Sequence, residues 1–243
     1  MDFFTIMIIL ITLVVFVFIV LISFVLKKSK DVKNEAFLED ERKLMLQNVL
    51  KRRKKLVPYK TDLQLQITDA MTFERSEDVR SIHTTGFLYN TQQKPIVAFE
   101  RVERGKNATG QLVAITKKQT FAFTFLGLNI SLFCDDVLLG TWDNSGNIYN
   151  SEKQLIGHAK RPANSTERSH FPLVMNQREI AQLQTAPLYD TIENTSTVST
   201  IFEELNFGAL VLSKTTSSSL EEEKWLLALA IFEVTFYGNM PVA

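Results

Sequence analysis

One stretch near the C-terminus, residues 219–238 (SLEEEKWLLALAIFEVTFYG), restricts most strongly what this chain can fold into. Between positions 225 and 236 only Glu233 and Thr235 are polar, so a helix here has no polar face to turn toward water. The apolar run is about a dozen residues long, whereas crossing a bilayer takes roughly 20. The sequence therefore predicts a helix that is buried inside protein.

Both ends of this helix are marked in the sequence. Ser219 and Glu222 have the spacing of a capping box, in which each side chain accepts a hydrogen bond from the backbone N–H of the other residue. Gly238 can adopt the left-handed conformation that ends many helices, and Pro241 cannot resume one. Because a buried carboxylate needs a hydrogen-bonded partner, we expect Glu233 to emerge at the mouth of the surrounding structure.

The residues upstream of this helix read mainly as short strands, since apolar and polar side chains alternate with a period of two. We expect strands at 63–68, 82–89, 95–104, 110–118, 121–125, 128–134, 137–142, 148–150, 154–160, 171–176, 188–192 and 207–214. A sheet that closes into a barrel has no free edges, and an apolar helix can fill its interior. The predicted fold is therefore α+β and mostly β, an antiparallel β-barrel of about 12 strands that encloses the C-terminal helix.

The N-terminal segment 3–26 contains no charged residue and is long enough to cross a bilayer with some tilt. A cleaved signal peptide fits poorly, because Asp2 replaces the usual basic region and no cleavage site follows. We therefore expect three parts: a transmembrane anchor over 1–28, a helical stalk over 29–57 and a barrel domain over 58–243.

The charges beside the anchor predict its orientation. Basic residues follow the span directly, at Lys27, Lys28, Lys30 and Lys33. By the positive-inside rule the N-terminus lies outside and the C-terminal domain is cytoplasmic. Glycosylation sequons point the other way, and they occur at Asn107, Asn129, Asn164 and Asn194. An extracytoplasmic envelope protein therefore stays an alternative.

The stalk lacks glycine and proline from 31 to 56 and reads as a helix. Its apolar seam consists of Leu38, Met45, Val49 and Leu56. We interpret this seam as packing on the chain's own domain, with pairing to a partner helix as the alternative.

Basic residues supply the candidate binding site. The densest cluster is at 51–55, and two doublets follow strands at 117–118 and 160–161. Such clusters can attract anionic lipid or phosphate groups. The candidate contact residues are Lys51, Arg52, Arg53, Lys54, Lys55, Lys117, Lys118, Lys160 and Arg161.

Composition and motifs point away from catalysis. Lysine plus arginine and aspartate plus glutamate both number 27, so no net charge favours nucleic acid. His83, His158 and His170 are scattered, and no common catalytic or phosphate-loop motif occurs. Cys134 reads as a core residue on a strand, and 135–136 (Asp-Asp) as a turn. We predict no catalytic residue, cofactor or metal ligand; an enzyme whose site is assembled from scattered barrel residues is the alternative.

The order of elements resembles the tubby C-terminal-like superfamily, which includes tubby domains, phospholipid scramblases and the LURP-one-related proteins. The resemblance is carried by the meandering strands, by Gly140 and Gly157 on either side of the turn at 143–147, and by the helix at 225–237. It covers about 63–238 and implies a membrane-associated, non-enzymatic domain that binds lipid. We therefore expect a membrane-anchored binding or scaffold domain that contacts anionic lipid headgroups or a protein partner at the bilayer surface.

Overall fold

A computed structural model describes most of the chain. The described residues are 12–20, 35–58, 64–78, 81–90, 92–104, 109–127, 129–160, 170–184, 201–206, 211–214 and 219–236. They belong to two compact units, Met1–Leu44 and Met45–Ala243.

In the first unit residues 12–20 are helical and carry exposed apolar side chains, Phe16 and Phe18 among them. The remainder of the predicted span at 3–26 lies outside the described residues. Within the described part of the chain, no helix has both the length and the hydropathy needed to cross a membrane. Helix α1 (Glu35–Leu50) begins in this unit and ends in the second.

The second unit is mostly β. Its helical elements after α1 are a 3₁₀ helix, η1 (Arg53–Lys55), and helix α2 (Leu220–Phe236). Its described strands are β1 (Gln64–Asp78), β2 (Ser81–Asn90), β3 (Pro95–Arg104), β4 (Thr109–Ile115), β5 (Thr120–Leu126), β6 (Asn129–Cys134), β7 (Val137–Trp142), β8 (Asn147–Asn150), β9 (Leu155–His158), β10 (His170–Met175), β11 (Arg178–Gln184), β12 (Ile201–Asn206) and β13 (Val211–Lys214).

These 13 strands form one antiparallel sheet. Strands β2 to β11 pair in chain order, as a meander, and β13 pairs with both β11 and β1. Strand β1 also pairs with β12 and, over most of its length, with β2. The prediction of a mostly antiparallel β domain with a C-terminal helix is confirmed.

Because the strands alternate in direction, their connections lie at the two ends of the strands, which we call edge 1 and edge 2. Edge 1 carries the turns at 92–94, 116–119, 135–136, 151–154 and 176–177, and edge 2 carries the turn at 143–146 and residue 160. Helix α2 begins at edge 1, where its N-terminal residue Glu222 accepts hydrogen bonds from Asn176 and Arg178.

Helix α2 lies at the centre of the core, and every residue from 225 to 235 is buried. The ring of Phe232 lies 5.9 Å from that of Phe123, 5.5 Å from that of Phe125 and 6.1 Å from that of Trp142, measured between centroids. Burial on all sides explains why this helix needs no polar face. The expectation that Glu233 emerges into solvent is wrong: Glu233 is 2% exposed, because the core that surrounds α2 extends past Phe232 as far as Thr235.

The predicted start of α2 is confirmed in detail. The backbone N–H of Glu222 donates to Ser219 Oγ over 3.2 Å, and the N–H of Ser219 donates to Glu222 Oε2 over 2.7 Å. This is the reciprocal pattern of a capping box. The predicted stop at Gly238 and Pro241 lies outside the described residues.

The second half of α1 covers the outer face of the sheet. Val49 and Leu56 pack with Ala98 of β3 and Ile115 of β4. Met45 packs with Val102 and Val113 one step further along the same two strands. For these three seam residues, the interpretation that the stalk packs on its own domain is confirmed.

Several strands differ from the prediction. Strand β1 continues to Asp78 through residues that look too polar for a strand, and β11 and β12 were not predicted. Strand β11 follows a two-residue turn in which Asn176 and Gln177 both have positive φ, the turn type that suits hairpins. The predicted strand at 188–192 lies outside the described residues.

Candidate basic site at edge 1

The structure brings together two basic segments that are 64 residues apart in the sequence. Lys117 Nζ, in the β4–β5 turn, donates to the backbone oxygen of Arg53 over 3.5 Å. Arg53 Nη2 in turn donates to Thr120 Oγ1 over 2.9 Å. The N–H of Val57 donates to the carbonyl oxygen of Pro95 over 2.9 Å and fastens the segment after η1 to the first residue of β3.

Phe87 holds two further cations of this site. Its ring lies on the outer face of β2 and packs against the cluster formed by Val49 and Leu56. The guanidinium carbon of Arg52 lies 5.6 Å from the ring centroid, and Lys55 Nζ lies 5.8 Å from it. Both distances are within the roughly 6 Å over which a cation is attracted to an aromatic face.

We call this assembly the basic patch; it consists of Arg52, Arg53, Lys54, Lys55, Lys117 and Lys118. Among the described residues none of these six forms an ion pair with a carboxylate. Asp135 approaches the patch, but its Oδ1 accepts a hydrogen bond from the N–H of Thr120 over 2.8 Å. The patch therefore has an excess of positive charge at the surface.

The remaining predicted contact residues lie elsewhere or outside the description. Lys51, which directly follows α1, donates to Asn48 Oδ1 over 3.4 Å. Lys160 is exposed at edge 2, at the opposite ends of the strands from the basic patch, and Arg161 lies outside the described residues. Lys94, which the sequence argument missed, is exposed in the β2–β3 turn at edge 1, next to the Pro95 that binds Val57.

The other titratable residues show no catalytic grouping in the described part of the chain. His83 Nε2 lies 3.1 Å from Glu100 Oε1, while His158 and His170 are exposed on β9 and β10. No cluster of three or more His, Cys, Asp or Glu side chains able to hold a metal occurs among the described residues. Cys134 is buried, as predicted for a core residue.

The turn chemistry at 135–136 is confirmed, since Asp135 (φ 50°) and Asp136 (φ 63°) form the two-residue connection of a hairpin. The turn at 143–147 is confirmed too. Asp143 Oδ1 accepts hydrogen bonds from the N–H groups of Ser145 and Asn147, each over 2.8 Å. Burial opposes ionisation, but these bonds outweigh it and lower the pKa of Asp143.

No family model, no curated protein and no solved structure matches this chain.

Proposed function

We propose that this chain is a membrane-anchored, non-catalytic binding domain whose basic patch contacts anionic lipid headgroups. One observation carries the proposal: the fold places Lys117 against Arg53, so that two separate basic segments become one surface, and no carboxylate among the described residues forms an ion pair with it. Folding a chain so that like charges gather costs free energy, which a bound anion offsets.

The energetics suit a tethered domain. A basic residue close to an anionic bilayer contributes about 1 kcal/mol, and this attraction falls off within a Debye length, roughly 8 Å at physiological salt. Six cations therefore give attraction of several kcal/mol at most, which is weak for a free protein. An anchor at 3–26 would keep the local lipid concentration high, so that weak contacts would be enough to set the orientation of the domain.

Two finer expectations belong to the same proposal. We infer that the sheet closes into a barrel around α2, and the pairing of β1 with both β13 and β2, together with the burial of α2 on all sides, supports this. A barrel around a central helix, in turn, supports membership of the tubby C-terminal-like superfamily. The anchor, with the domain on the cytoplasmic side, rests on the uncharged span and the lysines that follow it.

Lysine acetylation tests the proposal in the full chain. The protein is reconstituted in nanodiscs of phosphatidylcholine, with or without phosphatidylserine, and the acetylation rate of each lysine is read by mass spectrometry. We expect phosphatidylserine to protect Lys55, Lys117 and Lys118. Lys160 is the internal control, because it is exposed at the opposite edge of the sheet and its rate should not change.

Equal rates in both discs would contradict the proposal. Inorganic phosphate added to phosphatidylcholine discs distinguishes the source of the anion: protection by phosphate alone would indicate a soluble phosphate-bearing ligand instead of a lipid.

A protein partner is the second candidate, favoured by the exposed apolar side chains of Val137 and Leu155, which are 66% and 64% exposed. Protection of these two residues from hydroxyl-radical labelling in a cell extract, with the acetylation of the lysines unchanged, would support it instead.

A further inference from the structure

We propose that Phe87 and Thr120 are positioning residues of the basic patch, which hold its cations in place before any anion binds. This inference rests on the proposed function for its biological meaning. Its geometric part concerns only the residues at edge 1 and can be tested without a ligand.

The ring of Phe87 attracts two cations of the basic patch. Arg52 and Lys55 are two like charges on flexible side chains, yet both lie over the ring of Phe87. The half-buried ring packs against the cluster of Val49 and Leu56, a role that leucine could fill equally well. An aliphatic side chain has no negative π face, however, and would not attract the two cations. The aromatic character of residue 87 therefore supplies an attraction to both cations that leucine would lack.

Arg53 is held by Thr120 and Lys117. Thr120 Oγ1 accepts a hydrogen bond from its guanidinium, and the backbone of Thr120 is itself fixed by Asp135. Lys117 binds the carbonyl oxygen of the same arginine. Arg53 therefore has its backbone and its side chain fastened to the β4–β5 hairpin, and valine at position 120 would keep the shape but remove the acceptor.

The consequence is preorganisation. Ordering a long charged side chain on binding costs affinity, and this cost is smaller when the side chain is already held in the free protein. The two positioning residues carry no charge themselves. Replacing them therefore leaves the net charge of the patch unchanged, which separates positioning from a diffuse electrostatic attraction that depends on charge alone.

The test compares Phe87→Leu and Thr120→Val with the conservative variants Phe87→Trp and Thr120→Ser, in full-length protein in nanodiscs. In discs of phosphatidylcholine alone we expect the acetylation rate of Lys55 to rise by about twofold to fivefold in Phe87→Leu, because the ring no longer holds the ammonium group. In Phe87→Trp the rate should stay near that of the wild type. In discs with phosphatidylserine we expect Phe87→Leu and Thr120→Val to lose about twofold to fivefold of the lysine protection, and both conservative variants to retain it.

Thermal unfolding of each variant shows whether the fold is intact. A wild-type Lys55 rate and full protection in Phe87→Leu would overturn the inference, and so would an equal loss in Phe87→Trp, since that would indicate a packing role only. If phosphatidylserine protects no lysine in the wild type, the proposed function fails, while the Lys55 rates in neutral discs still decide whether Phe87 positions its cation.

Discussion

Arg101 carries a positive charge that is buried inside the domain and stabilised by its neighbours. It is fully buried on the inner face of β3, and its guanidinium carbon lies 4.6 Å from the ring centroid of Phe125 and 4.7 Å from that of Phe232. Its Nε donates to Glu103 Oε1 over 2.6 Å, and its Nη1 approaches the carbonyl oxygen of Phe232 at 3.4 Å. The arginine thus neutralises Glu103 and places positive charge at the C-terminal end of α2, where the helix dipole favours it.

Arg101→Met should lower the free energy of unfolding by about 3–5 kcal/mol, because it leaves Glu103 buried without its partner. Urea unfolding of the full chain in neutral detergent measures this. Lys118→Met is the matched control, since Lys118 is exposed, and we expect a change within about 0.5 kcal/mol. The double variant with Glu103→Met should recover most of the loss; a double variant as unstable as the single one would contradict this account.

Glu222 makes stability depend on pH. Burial raises the pKa of its carboxyl, but the hydrogen bonds from the Ser219 N–H, Asn176 and Arg178 outweigh burial and hold that pKa below 4.5. A carboxyl with a lowered folded-state pKa stabilises the fold above its unfolded pKa, and this contribution is lost as the pH falls through the folded value.

At neutral pH Glu222→Gln should therefore be less stable than the wild type by about 1.5–3 kcal/mol, the usual contribution of hydrogen bonds to a charged group. We expect the difference to shrink as the pH is lowered below 4.5, which urea unfolding over a pH series will measure. Glu221→Gln is the control, because Glu221 is exposed in the same helical turn. A difference that does not depend on pH would contradict the assignment.

Cys134 should be unreactive in the folded protein. Burial, and to a smaller extent Asp135, raises the pKa of its thiol from 9.0 to about 11. Since the thiolate is the reactive species, a rise of two pKa units lowers the thiolate fraction about 100-fold near pH 8, and burial slows disulfide exchange further. A thiol reagent should modify Cys134 only after denaturation, whereas a cysteine introduced at the exposed Lys118 should react at once.

At the scale of the elements, the sequence was sufficient wherever a local pattern determines the structure. The alternating phenylalanines at 121–125 do share the buried face of β5, and Ser219 and Glu222 do form the predicted cap. Strand β1 was predicted too short, since its second half is polar and is held by the neighbouring strands β2 and β12. The length of such a strand depends on pairing partners that are distant in the sequence, and the periodicity of the strand itself does not identify those partners.

Leu56, which directly follows η1, offers a test of how the stalk is held. Leu56→Ala should lower the free energy of unfolding by about 2–5 kcal/mol, because Leu56 is buried against Val49, Ala98 and Ile115. Leu44→Ala is the control, as Leu44 is 59% exposed, and should change stability by at most about 0.5 kcal/mol. Packing within one chain predicts that the loss is independent of protein concentration; a loss that varies with concentration would indicate pairing with a partner helix instead.

At the scale of the whole molecule, the charged residues of the candidate site are visible in the sequence, but their assembly into one site is not. The basic cluster at 51–55 and the doublet at 117–118 are both visible as charge runs. That they meet, and that Lys160 does not join them, follows from which edge of the sheet each strand reaches. The role of Phe87 could not be predicted from the sequence either, since one aromatic residue in an alternating strand usually belongs to the core. Only the structure shows that α1 and η1 pack over it.

The orientation of the chain gives the prediction with the widest reach. A basic patch can meet the anionic lipids of the cytoplasmic leaflet only if the domain is on that side, which is also the side that the positive-inside rule predicts from the lysines after the apolar span. A reporter fused after Ala243 should therefore be active in the cytoplasm. In eukaryotic cells all four sequons should stay unmodified, although Asn129 is exposed at the start of β6. A mass increase removed by glycosidase, at Asn129 or any other sequon, would contradict this topology and place the domain on the opposite side of the membrane.

Replacing Lys27, Lys28, Lys30 and Lys33 by glutamine should make the orientation of the chain less uniform. Reporter activity on both sides of the membrane would then show that these charges determine the orientation.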